Sequence, residues 1–262
     1  MEHALYITSL SGLKGKTGGY TRLYFGAEFC QWRLPGPAML RKALGLAGDA
    51  GLKFTLMTPW VTDAGLRKVD ALLSVLADAG ASGAEVVVND YGVLASVKGI
   101  CPSVTPVLGR LLVKQKCCPR IPAMFEDITE AGREIYLRTG VEGPDAAGLL
   151  KKWGVRRVEL DNPVQGVRAE LKAARLKGSI YLPYAYVTTT RHCPASFDGE
   201  GWQAFTGCKI KGCLKTVLAL HTPSHGARIL MRGNTQFVEN EVLPEGLADM
   251  GIDRVVRMED VP

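Results

Sequence analysis

The sequence predicts an α/β fold, a distorted TIM-barrel-like (β/α) barrel, and three observations lead to it. Apolar runs of strand length alternate with amphipathic runs of helix length every ~25 to 40 residues, the rhythm of a right-handed βαβ series. Some strand runs, such as EVVVND, are apolar throughout and then stop at polar residues, as strands buried on both faces do at a barrel rim. The chain has 262 residues, 47% of them hydrophobic and 22% charged, enough for one large barrel core in a single domain spanning 1–262.

In chain order, ALYITSL is the first strand, ended by the glycines of SGLKGKTGG, and TRLYFGAEF is the second. Cys30 follows it. Pro35-Gly36-Pro37 opens a helix through Met39, Leu40, Ala43 and Leu44 that ends near Gly48. LKFTLMTP is a third strand. Asp63 to Ala79 is an amphipathic helix with Leu66, Val69, Leu72, Leu73 and Leu76 on one face and Gly80 as its stop. GAEVVVNDYGVLA reads as a continuous apolar strand breaking at Asn89-Asp90, and TPVLGRLLVKQKCCPR as a shorter strand with a basic helix. GREIYLRT is expected as a strand, PDAAGLLKKWG as a helix stopped by Gly154, RRVELDNP as a strand, VQGVRAELKAARLKG as a helix and SIYLPYAYV as a strand. Further on, TVLAL, RILMR and TQFV read as short antiparallel strands, GLADMGI as a helix and DRVVRM as the last strand. These are more than eight strands, so a small hairpin insertion is expected in the barrel.

Between SIYLPYAYV and TVLAL lies RHCPASFDGEGWQAFTGCKIKGC, Arg191 to Cys213, a cysteine-rich loop without apolar period. Core packing cannot order such a loop, whereas thiolates on a metal can. Fourteen residues separate Cys193 from Cys208 and four separate Cys208 from Cys213. Three thiolates are too few for zinc or an iron–sulfur cluster, which usually take four. Cys30 is the candidate for the fourth, because it and Cys193 both follow strand runs, and parallel strands of a barrel end on one face. Two close cysteine pairs would favour zinc; only Cys208 and Cys213 are close here, which favours a cluster.

The remaining motifs carry weaker chemistry. Seven cysteines, an odd number, fit a reducing compartment with metal-bound or reactive thiols better than disulfides. Cys101, Cys117 and Cys118 read as packing residues, since adjacent cysteines form only strained disulfides. His192, His221 and His225 could supply acid–base chemistry, although each is more often an ordinary loop histidine. Asn89, Asp90, Arg138, Asp161, Asn162 and Asn234 fall where a barrel places substrate contacts, and where helix caps also occur. No Gly-x-Ser-x-Gly or His-Glu-x-x-His is present, and SGLKGKTGG lacks the spacing of a P-loop, so neither protease arrangement nor a nucleotide site is read here. No apolar run of about 18 residues occurs and the N-terminus does not read as a signal peptide, so a cytoplasmic protein without a membrane span is expected. The net charge is +6, and Lys98 to Arg120 carries five basic and no acidic residues, a stretch suited to an anionic ligand or to a solvated helix face.

YFGAEFCQWR after the early strand, VVVNDYGVL, the RHC and CKIKGC of the loop, ILMRGNTQFVEN and GLADMGIDRVVRM together resemble the collagenase-like peptidase U-32 family. Within it, the likeness is to the short V-type iron–sulfur subunits of oxygen-independent ubiquinone hydroxylation, and it covers most of the chain. The resemblance implies a TIM-barrel-like fold and a [4Fe-4S] cluster on Cys30, Cys193, Cys208 and Cys213, the same four residues reached above. The spacing of the last two is one residue longer than is usual in that family, and the extra C-terminal sequence of the larger, RNA-modifying members is missing.

The resulting expectation is an iron–sulfur subunit of an oxygen-independent hydroxylase. It would work in a heterodimer with a related barrel subunit on a quinone precursor or other aromatic substrate, and not as a peptidase. Two alternatives stand beside it. One is hydroxylation of an RNA base, permitted by the basic stretch, which would bind with steep salt dependence. The other is a non-enzymatic scaffold subunit whose zinc only holds the loop.

Overall fold

The computed structural model describes residues 1–13, 17–191, 193–194, 208, 213, 216–221 and 228–262. Eight parallel strands close into a barrel: β1 (Glu2–Ile7), β2 (Arg22–Gly26), β3 (Lys53–Met57), β4 (Glu85–Val88), β5 (Thr105–Leu108), β6 (Arg157–Leu160), β7 (Lys177–Leu182) and β12 (Ile252–Met258). β12 closes the ring between β7 and β1, with Ala4 opposite Val256 and Arg254 opposite Ser179. The predicted barrel is therefore present.

Alternation along the strands separates two cores. Outward side chains such as Leu5, Leu23, Leu56, Val86 and Val158 join the helices in one apolar cluster. Inward side chains, among them Tyr6, Tyr24, Met57, Val87, Tyr181 and Met258, fill the barrel. Toward the N-terminal end the filling turns ionic. Arg22 and Arg254 both pair with Glu2 and Glu85, and Arg157 reaches Glu85 and Asp253. Glu159 accepts from Tyr24 and Ser179 there, and burial pushes its carboxyl up to about 7 although Arg254 and Arg157 pull it down.

The outer helices follow the amphipathic pattern where that pattern is strong. α1 (Pro37–Asp49) begins at the expected proline and buries Leu40, Ala43 and Ala47. α2 (Asp63–Asp78) buries Val69, Leu72, Leu73 and Leu76. At ~1.5–3 kcal/mol for each large side chain, such a face holds the helix to the barrel. α3 (Tyr91–Ile100) is capped by Asp90, whose carboxylate accepts from the Gly92 N–H at 2.7 Å. The strand expected over GAEVVVNDYGVLA therefore ends at Val88, and YGVLA is helical.

Three other expectations need correction. After β5 comes one turn of helix, α4 (Arg110–Val113), not a basic helix running to the cysteine pair, and it is followed by the short α5 (Ile121–Met124). GREIYLRT belongs to a helix, α6 (Glu130–Leu137); Thr129 caps it by accepting from the Gly132 N–H, and Glu134 pairs with Arg138 one turn on. α7 (Pro144–Lys152) is as predicted, with Gly154 in the left-handed region beyond it. The segment over VQGVRAELKAARLKG forms turns instead of a helix. Val167, Ala169 and Leu171 are buried in alternation, and Leu171 N–H donates to the Met250 carbonyl. Tertiary contacts outweigh helix propensity in this segment.

SIYLPYAYV divides at Pro183, which has no N–H to give a ladder. β7 stays in the barrel and β8 (Tyr184–Thr189) leaves it. β8 then joins β9 (Leu218–His221), β10 (Arg228–Arg232) and β11 (Thr235–Glu239) in an antiparallel sheet of order β8-β11-β10-β9. The expected hairpin insertion is thus a four-stranded sheet. Its Leu230, Phe237, Tyr184 and Tyr186 pack on Phe29, just past the end of β2, so the sheet covers the barrel mouth. A short α8 (Leu247–Met250) precedes β12. No described helix is long and apolar enough to cross a membrane.

Candidate functional site

Two of the four candidate cysteines, Cys193 and Cys213, meet at the turn between β10 and β11. Arg232 pairs with Thr235, so Gly233 and Asn234 form a two-residue turn, with Gly233 at φ +58. A Cβ on Gly233 would lie 3.0 Å from Cys213 Sγ and 3.9 Å from Cys193 Sγ. Two thiols separated by nineteen residues in sequence therefore rest over one glycine. Cys30 faces the same place. Burial pushes its thiol up, the Trp32 N–H and the Arg33 guanidinium pull it down, and the nearby Cys213 and Cys208 push it up further. Cys30, Cys193 and Cys213 are half-buried and Cys208 is exposed; no disulfide joins any of the described cysteines. Among the described residues, no group of three or more His, Cys, Asp or Glu side chains is placed to hold a single metal ion.

Polar braces hold the three cysteine-bearing segments together. Asn234 Nδ2 donates to the Phe29 carbonyl at 2.8 Å, next to Cys30, and to the Thr190 carbonyl at 2.7 Å, three residues before Cys193. Gln31, beside Cys30, accepts from both the N–H and the hydroxyl of Thr62, tying the segment to the start of α2. Gly65 makes room for it, since a Cβ there would meet Gln31 Oε1 at 2.2 Å. A recess of about 30 Å³, room for roughly one water, opens beside Cys30 between Phe29, Trp32, Trp60, Arg191 and Asn234. Arg191 lies over the Trp60 ring and Lys68 over Trp32, both at cation–π distance. Two roomier cavities, about 640 and 600 Å³, lie along α7, and none of the four cysteines lines either.

Beneath the covering sheet is a buried ionic group that sequence reasoning only partly found. Arg110, fully buried, holds Glu28 through two hydrogen bonds of 3.0 and 2.5 Å and Asp161 through one of 2.8 Å. Its guanidinium also donates to the Tyr184 carbonyl and lies over the Tyr181 ring. Burial alone would discourage its charge, but Glu28 and Asp161 hold it protonated. Asp161 accepts from the Tyr186 N–H; burial pushes its carboxyl up to about 6 against the pull of Arg110, and its Oδ2 has no partner. Glu28 precedes Cys30 by two residues, and Arg110 sat inside the stretch read as a basic surface.

The other predicted contacts resolve into structural roles. Asn89 donates to the Thr58 carbonyl and accepts from the Leu111 N–H, bracing three strand ends, and Asp90 is a helix cap. Asn162 donates to the Val242 carbonyl at 2.9 Å. Arg138 ends a helix, not a strand, and pairs with Glu134 and Glu170 on the surface. Cys101 and Cys117 are buried, and Cys118 is half-buried beside Arg120. Although burial raises the Cys118 thiol, Arg120 brings it below its ordinary value. His221 is exposed at the end of β9, whereas His192 and His225 lie outside the described residues.

No family model matches the chain, and no curated protein matches it. Among solved structures, a U32 peptidase aligns over 100% of this chain and 94% of its own, with 14% identity and a TM-score of 0.49. A putative copper homeostasis protein, CutC from Streptococcus agalactiae, aligns over 69% of this chain and 87% of its own, with 10% identity and a TM-score of 0.44. Neither passes a function to this chain at that level. The barrel rests on its own strand pairing.

Proposed function

We propose that this chain is an iron–sulfur protein whose Cys30, Cys193, Cys208 and Cys213 ligate a [4Fe-4S] cluster at the barrel mouth. The observation that carries the reading is the convergence of Cys193 and Cys213 over Gly233, with Cys30 in the field of Cys213 and Cys208. The donor set is all thiol, which suits zinc or an iron–sulfur cluster and not a hard cation. Zinc requires its sulfurs about 2.3 Å from one point. A cluster carries one thiolate on each iron and accepts a wider spread of ligand sulfurs.

When bound, such a cluster supplies one-electron chemistry. The chain's own residues do the rest: Asn234 and Gln31 fix the ligand segments, the covering sheet packs Leu230 and Phe237 on Phe29 next to Cys30, and Trp32 and Trp60 lie beside Cys30. In this proposal the protein takes part in oxygen-independent hydroxylation of a ubiquinone precursor, as a heterodimer with a related barrel subunit. That part rests on the resemblance to the peptidase U-32 family. The test is anaerobic purification, with a visible spectrum and iron, sulfide and zinc analysis, of the wild type and Cys30→Ala. Matching iron and sulfide in the wild type, lost in the variant, is the expected result. Colourless wild-type protein carrying zinc would sink the reading in favour of a scaffold subunit.

A further inference from the structure

Arg33, three residues after Cys30, is a half-buried cation short of partners. Its Nε–H and Nη2–H are buried and find no acceptor. Arg232, 4% exposed, has a third orphaned donor in its Nε, while its other nitrogens reach Asp260 and the Val261 carbonyl. Removing a guanidinium from water without pairing it costs several kcal/mol. Here the two guanidiniums also repel each other. An anion should stand between them and offset both costs.

The described surroundings narrow the choice of anion. Tyr6, Cys213 and Cys30 are the groups near Arg33 that could offset its charge. Tyr6 is itself buried, with its hydroxyl unpartnered and its proton held tightly by burial and by Glu28, so it is a neutral phenol. Glu28 already gives both carboxylate oxygens to Arg110. What remains are the sulfurs of Cys30 and Cys213. A thiolate held on a metal carries the negative charge that a guanidinium needs.

We propose that Arg33 is the counter-cation of the bound cluster, donating its free Nε–H and Nη2–H to the thiolate and cluster sulfurs and raising the cluster's reduction potential. The inference rests on the cluster reading above. Reduction adds one electron, taken from an external reductant, and therefore one negative charge. Arg33 stays protonated throughout and no proton moves. A fixed positive charge and N–H···S bonds favour the more negative, reduced form.

The test compares anaerobically reconstituted wild type, Arg33→Gln and Arg33→Lys. Iron and sulfide content are measured first, followed by a dithionite titration with redox mediators, read from the electron paramagnetic resonance signal of the one-electron-reduced cluster. Arg33→Gln is expected to keep its iron and sulfide while the reduced-to-oxidised ratio at a fixed potential falls about tenfold, equivalent to about 59 mV for one electron. Arg33→Lys recovers more than half of that shift. Titration of Arg33→Gln together with the wild type overturns the inference and leaves the cluster reading standing. If Arg33→Gln loses its iron, retention in Arg33→Lys supports a requirement for charge, and loss in both variants overturns it. Wild-type protein without iron overturns both readings.

Discussion

Replacing Arg110 by Met tests whether the ionic group under the mouth works as a unit. The substitution keeps most of the side-chain volume but leaves the Glu28 and Asp161 carboxylates facing each other, both essentially without solvent. Breaking a buried pair by removing one partner costs about 3–5 kcal/mol. At about 2–4 °C per kcal/mol for chains near this size, the melting temperature at pH 8 should fall by roughly 10 °C. The loss depends on pH. Without Arg110, the Asp161 carboxyl loses the charge that pulls it down, and burial raises it further above its unfolded value. A raised carboxyl pKa leaves stability intact below the unfolded pKa and removes it as pH rises through the folded one. In the wild type the same sign already holds for Asp161, between its ordinary value of 3.8 and about 6. The deficit of the variant should therefore be largest at pH 8 and shrink toward pH 5. Thermal denaturation followed by circular dichroism across that range, at matched metal content, measures it. An equal deficit at pH 5 and pH 8, or one of only 2–3 °C, would refute the reasoning.

Two further outcomes follow from single residues. Burial holds Glu159 at about 7 instead of 4.5, so its contribution is lost as pH rises between those values; Glu159→Gln should melt with the wild type near pH 5 and gain as much as about 3 kcal/mol at pH 8. A melting curve that stays below the wild type at both pH values would show that the carboxylate is a needed partner of Arg254 instead. Asn234→Ala removes the bridge between Phe29 and Thr190, which should cost about 2–3 kcal/mol and lower iron per chain after reconstitution, because two ligand segments lose their common anchor. Unchanged iron content would mean that the turn is held without it.

The barrel was legible wherever burial and periodicity agreed. LKFTLMTP and the Asp63–Ala79 stretch each offer a single reading, and both elements are where that reading puts them. The errors fall where a local signal competes with context. GREIYLRT has the β-branched and aromatic content of a strand, yet Thr129 and Glu130 just ahead of it begin a helix, a capping signal that lies outside the segment as it was divided. VQGVRAELKAARLKG has the propensity of a helix, but Val167, Ala169 and Leu171 are buried two apart and tied to Met250, which no window along the sequence displays.

The same distinction separates the two parts of the candidate site. Cysteines in a polar loop are conspicuous because core packing does not explain them, so Cys193, Cys208 and Cys213 could be grouped from spacing, and Cys30 added from the shared face of strand ends. Charged residues become conspicuous only when buried, and burial is a property of the fold. Arg110 looks in the sequence like one of five basic residues in a solvated stretch; its role follows from β2, β5 and β6 ending at the same mouth of the barrel, where Glu28 and Asp161 reach it. Arg33 is the intermediate case. Its distance from Cys30 is readable, but its meaning comes from two N–H groups that the folded protein buries and leaves without an acceptor. In the proposed reading, an anionic metal–thiolate centre would give those two N–H groups their acceptor and the guanidinium its counter-charge.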